Sequence, residues 1–178
     1  MNTVLLDRDG TVIAEPSDNR VDTVDKIELF PDTLEALTYL ADNDFAVIFI
    51  TNQAGISEGR LTPEEFEKIN TEVTKKLESS GVEILKMYLC PHTPADNCPC
   101  GKPKPTMIRK AADDFDLDPA EIFMVGDRRS DILAGDSAGT KTVLVETSGD
   151  DVTAPEATHT HTAPNLLAAA KYVVENSC

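Results

Sequence analysis

Two aspartates two residues apart close the first apolar run of this 178-residue chain, in Leu6-Asp7-Arg8-Asp9-Gly10-Thr11. In an extended segment such residues share a face, so both carboxylates point past the strand end together. Paired this closely they suit a hard divalent cation, since magnesium uses one or two carboxylates plus waters and phosphate oxygens. They also suit a division of labour. One carboxylate attacks phosphorus, while its neighbour protonates the leaving oxygen and then activates water. Gly10 supplies the tight turn out of the strand and Thr11 a hydroxyl for phosphate. The same letters are a plain turn signal and occur in calcium loops, so alone they leave both readings open.

Recurrence decides between them. A second apolar run leads straight into Thr51-Asn52-Gln53-Ala54-Gly55, small hydrogen-bonding residues suited to holding phosphate oxygens. Lys102 precedes a helix beginning near Pro105, whose N-terminus is a ready site for anions. A later run ends in Gly126-Asp127-Arg128-Arg129-Ser130-Asp131 and offers two more carboxylates, Asp127 and Asp131. Unrelated turn residues would scatter; these converge on one end of a sheet.

A second kind of chemistry lies between them. Cys90-Pro91-His92 and Cys98-Pro99-Cys100 give a Cys-x-His and a Cys-x-Cys, so the loop 90–100 carries Cys90, His92, Cys98 and Cys100. Zinc takes four N/S ligands in a tetrahedron, and a full protein set makes a closed, structural site. Buried unpaired cysteines or a disulfide are the plainer readings. A cytoplasmic chain disfavours the disulfide, and the polar, Pro-rich surroundings disfavour core burial. Zn2+ is therefore expected, with Cys178 a bystander. Because the loop runs directly into Lys102, clamping it fixes the approach to that lysine.

The elements that must position these groups alternate strand and helix. Strands are expected at Val4–Leu6, Ala46–Ile50, Ile84–Leu89, Ile122–Val125 and Thr142–Val145. Helices are expected at 33–42, from Thr62 to about Ser79, and at 105–115, 131–138 and 164–175. Thr62, Pro63 and Glu65 form an N-cap, a first-position proline and a capping box, and Gly81 stops that helix. Strands apolar at nearly every position, separated by helices, indicate a five-stranded, mainly parallel sheet covered on both faces, with its site beyond the carboxyl ends of the strands. The fold class is thus α/β and Rossmann-like, a single domain over residues 1–178. The polar stretch 147–163 reads as a surface loop, and its His159 and His161 as loop residues rather than metal ligands.

Charge narrows the partners. Against 16 basic side chains stand 32 acidic ones, a formal net charge of −16. Such a field repels nucleic acid and anionic membranes, so neither is expected as a partner. It also repels a phosphorylated substrate, so phosphate chemistry here needs local cations. The excess reads as a solvated surface, with adaptation to a salty cytoplasm as a further reading. No apolar run approaches the roughly 20 residues that span a bilayer, and the N-terminus has no secretion signal. The expectation is a cytoplasmic protein, a monomer for so small and charged a domain.

Taken together, the four segments resemble the motifs of the haloacid dehalogenase-like (HAD) superfamily, in order and across essentially the whole chain: Asp7-Arg8-Asp9-Gly10-Thr11, Thr51-Asn52, Lys102, and Gly126-Asp127-Arg128-Arg129-Ser130-Asp131. The resemblance implies a Mg2+-dependent phosphatase with Asp7 as nucleophile and metal ligand. Asp9 would be the general acid/base, its carbonyl also on the metal. Thr51 and Asn52 would hold the phosphoryl group, Lys102 would neutralise it, Asp127 would bind magnesium and Asp131 would be a supporting acid. A non-catalytic, zinc-stabilised interaction module on this fold would have lost at least one of Asp7, Asp9, Lys102 or Asp127, and all are present.

The spacing leaves no room for a large cap between Ile13 and Phe30. A capless member with this zinc loop resembles one branch, which includes a phosphatase of histidine biosynthesis and a heptose bisphosphate phosphatase of carbohydrate metabolism. The implied substrate is a small phosphorylated metabolite, histidinol phosphate first and D-glycero-D-manno-heptose 1,7-bisphosphate as the alternative. Glu15, Asp18 and Asp22 would meet the cationic histidinol. Arg60 and Arg128, with Lys104, are cations a bisphosphate would want. Both branch enzymes usually carry Arg before the motif lysine, where this chain has Gly101.

Overall fold

The computed structural model describes residues 2–148 and 160–177. Its strands are β1 (Asn2–Leu6), β2 (Phe45–Asn52), β3 (Glu83–Cys90), β4 (Phe123–Gly126), β5 (Lys141–Val145) and β6 (Thr160–Ala163). Its helices are α1 (Thr33–Asp42), α2 (Pro63–Leu77), α3 (Thr106–Phe115), α4 (Arg129–Ala138) and α5 (Leu166–Glu175). The sheet order is β3-β2-β1-β4-β5-β6, and every pairing is parallel. The order reverses between β1 and β4, so the crevice beyond their carboxyl ends is where an open α/β sheet takes its ligand.

Alternation along the strands builds a core on each face. In β1, Val4 and Leu6 join one cluster with α1, α2 and α5, while Leu5 joins the other with α3 and α4. Helix α2 begins as its letters require: Thr62 accepts from the Glu65 N–H, and the Glu65 carboxylate accepts from the Thr62 N–H. It ends at Leu77 and tightens into a short 3-10 turn, Glu78–Ser80, which Gly81 closes at φ 73°.

Among the described residues the sheet has six strands where five are expected. Thr160–Ala163, read from the sequence as the end of a surface loop, pairs with β5 as a parallel edge strand. An edge strand needs one partner and no continuous apolar run, so hydropathy does not reveal it. His161 stacks on Tyr172 at 3.6 Å between ring centroids, which makes it a packing residue of that edge. His159 and Cys178 lie outside the described residues. Between β1 and α1 the chain forms one short 3-10 turn, Val24–Lys26, and isolated bridges pairing Ile13 with Asp9 and Leu29, so no large cap stands there. No helix among the described residues is long and apolar enough to cross a membrane.

Candidate active site and metal centres

Each motif leaves the carboxyl end of a neighbouring strand, as the sheet order demands. Asp7 follows β1, Thr51 and Asn52 end β2, and Asp127 follows β4. Lys102 arrives from the other side of β2, and its ammonium lies 2.6 Å from Asp7 Oδ1, 2.6 Å from Asp131 Oδ1 and 2.7 Å from the Ile50 carbonyl. Asp7, Lys102, Asp127 and Asp131 are all buried. Asp7, Lys102 and Asp131, distant in the chain, line one hollow of about 320 Å³ together with Asp9, Glu15, Asp22, Thr51, Asn52 and Arg128, while Asp127 lies against Asp7 and Asp131 without lining it.

The carboxylate oxygens of Asp7, Asp127 and Asp131 approach within 4.8 Å of one another, an arrangement suited to a divalent cation. Asp131 is largely spoken for, with Lys102 on one oxygen and the Arg128 N–H 2.9 Å from the other. Asp127 is not: its Oδ2 is buried with no hydrogen-bond partner among the described residues, and the nearest cation, Arg128 Nε, is 3.9 Å away. A buried carboxylate oxygen left in this state is costly unless a cation meets it, so the donor set fits magnesium. Gly10, at φ 92°, makes the room, because a Cβ there would stand 2.3 Å from Asp127 Oδ2. Gly126 does the same for Asp131, whose side chain a Cβ would meet at 2.4 Å.

Crowding the acids has an electrostatic effect. Burial, and then the neighbouring charges of Asp131 and Asp127, push the Asp7 carboxyl well above the usual range, against the pull of Lys102. Burial and Asp131 likewise raise Asp127 to about 6. Burial alone would lower Lys102, but Asp131 and Asp7 outweigh it and the ammonium is held charged.

Several side chains do something other than the motifs alone suggest. Thr11, expected to offer its hydroxyl to phosphate, is buried with Oγ1 3.1 Å from Asp127 Oδ1 and 3.4 Å from Asp7 Oδ2. The Asn52 amide is engaged with the backbone of Lys102. Asp9 turns away from the acid cluster and is held by Arg8 and Gln53. Thr147 and Ser148, read only as the start of a loop, cap the Gly10 and Asp127 carbonyls. Their letters carried no sign of this.

The expected acidic substrate loop is largely self-neutralised. Asp18 and Asp22 both bind Lys26, at 2.7 and 2.8 Å, and Asp18 does not reach the cavity wall. Glu15 does, but Arg128 holds it at 2.6 Å. Arg20, passed over in the sequence, lines the cavity with Arg60 and Arg128.

The second cluster gathers as its spacing predicts: ligand atoms of Cys90, His92, Cys98 and Cys100 all lie within 4.8 Å of one another. Sulfur–sulfur separations are 2.8, 3.3 and 3.4 Å, and His92 Nδ1 stands 3.2 Å from Cys100 and 3.7 Å from Cys90. These fall at or inside the roughly 3.7 Å edge of a tetrahedron with zinc–sulfur bonds of about 2.3 Å. The Gly101 N–H lowers the Cys98 thiol to about 6, while burial raises Cys90 to about 12. The donor set, three sulfurs and one imidazole nitrogen gathered at these separations, fits zinc, whose binding would displace the thiol protons. Gly101 passes close under the cluster; a Cβ there would lie 3.3 Å from Cys90 Sγ.

Fold and site together define a phosphatase of the haloacid dehalogenase-like class, and near full-length relatives show that the chain belongs to that family; residues 99–169 also match the HAD-hydrolase-like family model. It acts on a small phosphorylated metabolite. Among curated relatives, the D-glycero-beta-D-manno-heptose-1,7-bisphosphate 7-phosphatase of Neisseria meningitidis is 33% identical over 99% of this chain and 97% of its own length. The histidine biosynthesis bifunctional protein HisB of Actinobacillus pleuropneumoniae is 35% identical over 77% of this chain, which spans 38% of that longer protein. A solved D,D-heptose 1,7-bisphosphate phosphatase from B. bronchiseptica, complexed with magnesium and phosphate, superposes with a TM-score of 0.89 at 31% identity, covering 99% of this chain and 100% of that one.

Proposed function

We propose that this chain is a magnesium-dependent phosphomonoesterase that works through a phospho-aspartate on Asp7 and takes a sugar bisphosphate, D-glycero-D-manno-heptose 1,7-bisphosphate or a close analogue. The observation that carries the substrate is the cavity itself, lined near the buried Asp7–Lys102 pair by Arg20, which has no ion pair among the described residues, and by Arg60 and Arg128, which are paired with Glu58 and Glu15. A second phosphate wants such cations, and the acids that would have welcomed an ammonium are matched by Lys26 and Arg128. The near full-length similarity to heptose bisphosphate phosphatases supports the same choice.

In this mechanism a carboxylate oxygen of Asp7 attacks phosphorus. The bond from phosphorus to the leaving alcohol breaks, and Asp9 supplies the proton that oxygen takes. Asp9 then removes a proton from water, whose oxygen attacks the acyl phosphate; the bond to Asp7 breaks and inorganic phosphate leaves. Thr51 holds the phosphoryl group, Asn52 fixes the backbone of Lys102, and Lys102, set between Asp7 and Asp131, balances the phosphoryl charge. Magnesium, held by Asp7, Asp127 and the Asp9 carbonyl, would supply Lewis-acid stabilisation of the phosphoryl oxygens. Zinc on Cys90, His92, Cys98 and Cys100 would fix the loop that delivers Lys102.

Histidinol phosphate is the second reading, favoured by Glu15 and Asp22 on the cavity wall and by the HisB similarity. A panel of kcat/KM values for heptose bisphosphate, histidinol phosphate and simple phosphomonoesters tests the choice. A preference of about a hundredfold, some 2.7 kcal/mol of transition-state binding, decides it. Asp7→Asn should abolish turnover with the fold intact; retained turnover would remove the mechanism.

A further inference from the structure

We infer that Arg8, buried beneath Asp9, is a positioning residue that dictates which oxygen of Asp9 exchanges the proton with the substrate. The inference rests on the acid/base role proposed for Asp9. Among the described residues Arg8 is the largest fully buried side chain, and arginine is almost never fully buried unless paired. Its neighbours account for the burial. Nε donates to Asp9 Oδ1 at 2.7 Å, Nη2 to Asp9 Oδ2 at 2.9 Å and Nη1 to Asn70 Oδ1 at 2.6 Å, while Cζ sits 5.2 Å from the Phe66 ring centroid. Phe66 and Asn70 both belong to α2, so the guanidinium is pinned between that helix and the end of β1.

A cation next to a nucleophile invites assignment to phosphate binding, but Arg8 does not line the cavity. Its Nε–Nη2 edge is turned onto Asp9, in the bidentate geometry that fixes a carboxylate in orientation as well as in charge. Gln53 closes the arrangement, donating from Nε2 to Asp9 Oδ2 at 2.7 Å and to Thr51 Oγ1 at 2.9 Å. An ionised carboxylate has about four acceptor positions. Arg8 and Gln53 fill both on Oδ2 and one on Oδ1, which leaves Oδ1 with the open position. Asp9 lines the cavity and its side chain is 18% exposed, so substrate can approach this carboxyl, whose open acceptor position is on Oδ1. The neighbouring letter in the motif thus selects Oδ1 as the proton-carrying atom and holds it in one rotamer.

Leaving-group dependence separates this role from a purely structural one. 4-Nitrophenyl phosphate releases a stable phenolate and needs little proton donation; benzyl phosphate releases an alkoxide and needs it. The ratio of kcat/KM for the two, measured with magnesium, reports the step up to phosphoryl transfer and is blind to later hydrolysis. Arg8→Lys keeps a charge but loses the fork. Asn70→Leu removes the third anchor of Arg8 while leaving Arg8 and Asp9 in place, and serves if Arg8→Lys does not fold. Arg8→Lys should cost benzyl phosphate about tenfold more than 4-nitrophenyl phosphate, within the range a positioned acid supplies, and Asn70→Leu a smaller excess of the same sign. Equal losses on both substrates, or none, would reduce Arg8 to a scaffold residue and overturn the inference. Asp9→Asn is the control. If it shows the selective loss and the Arg8 and Asn70 variants do not, only the positioning role fails. If Asp9→Asn shows none, the acid/base assignment itself falls.

Discussion

The side chain of Asn52 grips the backbone of Lys102 at both ends of the residue: its Oδ1 accepts from the Lys102 N–H at 3.0 Å, and its Nδ2 donates to the Lys102 carbonyl at 3.0 Å. The last residue of β2 therefore decides where a lysine fifty residues later enters the site. The two residues are one mechanical unit, with the cysteine cluster immediately behind it.

Asn52→Ala should accordingly lower kcat by up to about a hundredfold, the scale of a misplacement near 1 Å, while KM for a small aryl phosphate changes little. The thermal midpoint should fall only modestly, as two lost hydrogen bonds imply about 1–3 kcal/mol. Steady-state kinetics beside a melting curve read both.

Zinc removal should act through the same joint. Chelation ought to lower kcat and speed amide exchange in residues 90–102, and readdition of zinc should restore both. A metal-free protein with full activity and unchanged exchange would disconnect the cluster from Lys102.

Arg20→Ala tests the cavity wall. The side chain is exposed and makes no ion pair among the described residues, so its removal should leave the fold untouched. KM for a sugar bisphosphate should rise about tenfold or more, the usual scale for one charge-assisted contact at 1.5–3 kcal/mol. KM for a monophosphate should stay nearly level. Equal effects on both would count against a second phosphate at this wall.

Magnesium and protons should compete at Asp127. Its carboxyl titrates at about 6 in the folded chain against an ordinary 3.8. Between those values the folded chain binds a proton that the unfolded chain has released, so the metal-free fold loses stability as pH rises through that window and regains it as pH falls. Magnesium needs the carboxylate form. The increase in melting temperature that magnesium brings should therefore be small near pH 5 and grow as pH rises past about 6. Melting curves with and without magnesium across that range check it.

The chemistry-bearing residues were legible because they obey local rules. Asp7 and Asp9 sit at period-two spacing at a strand end, Thr62 and Glu65 form their capping box within four letters, and the Cys-x-His and Cys-x-Cys pairs bring their own geometry. Among the described residues, five of the six strands follow from short continuous apolar runs and the five helices from helical spacing and capping letters, which depend on neighbours in the chain alone. The edge strand β6 did not, because its pairing is supplied by the β5 backbone rather than by its own side chains. Partnerships between distant charges were equally hidden. Nothing in the letters says that Lys26 takes Asp18 and Asp22, that Arg128 takes Glu15, or that Arg8 is buried against Phe66 and Asn70. Composition fixes how many charges there are, but which charge meets which is decided by the sheet order and loop paths. Those attractions become appreciable only when the charges are brought close together and partly out of water, and so exist only once the chain has folded.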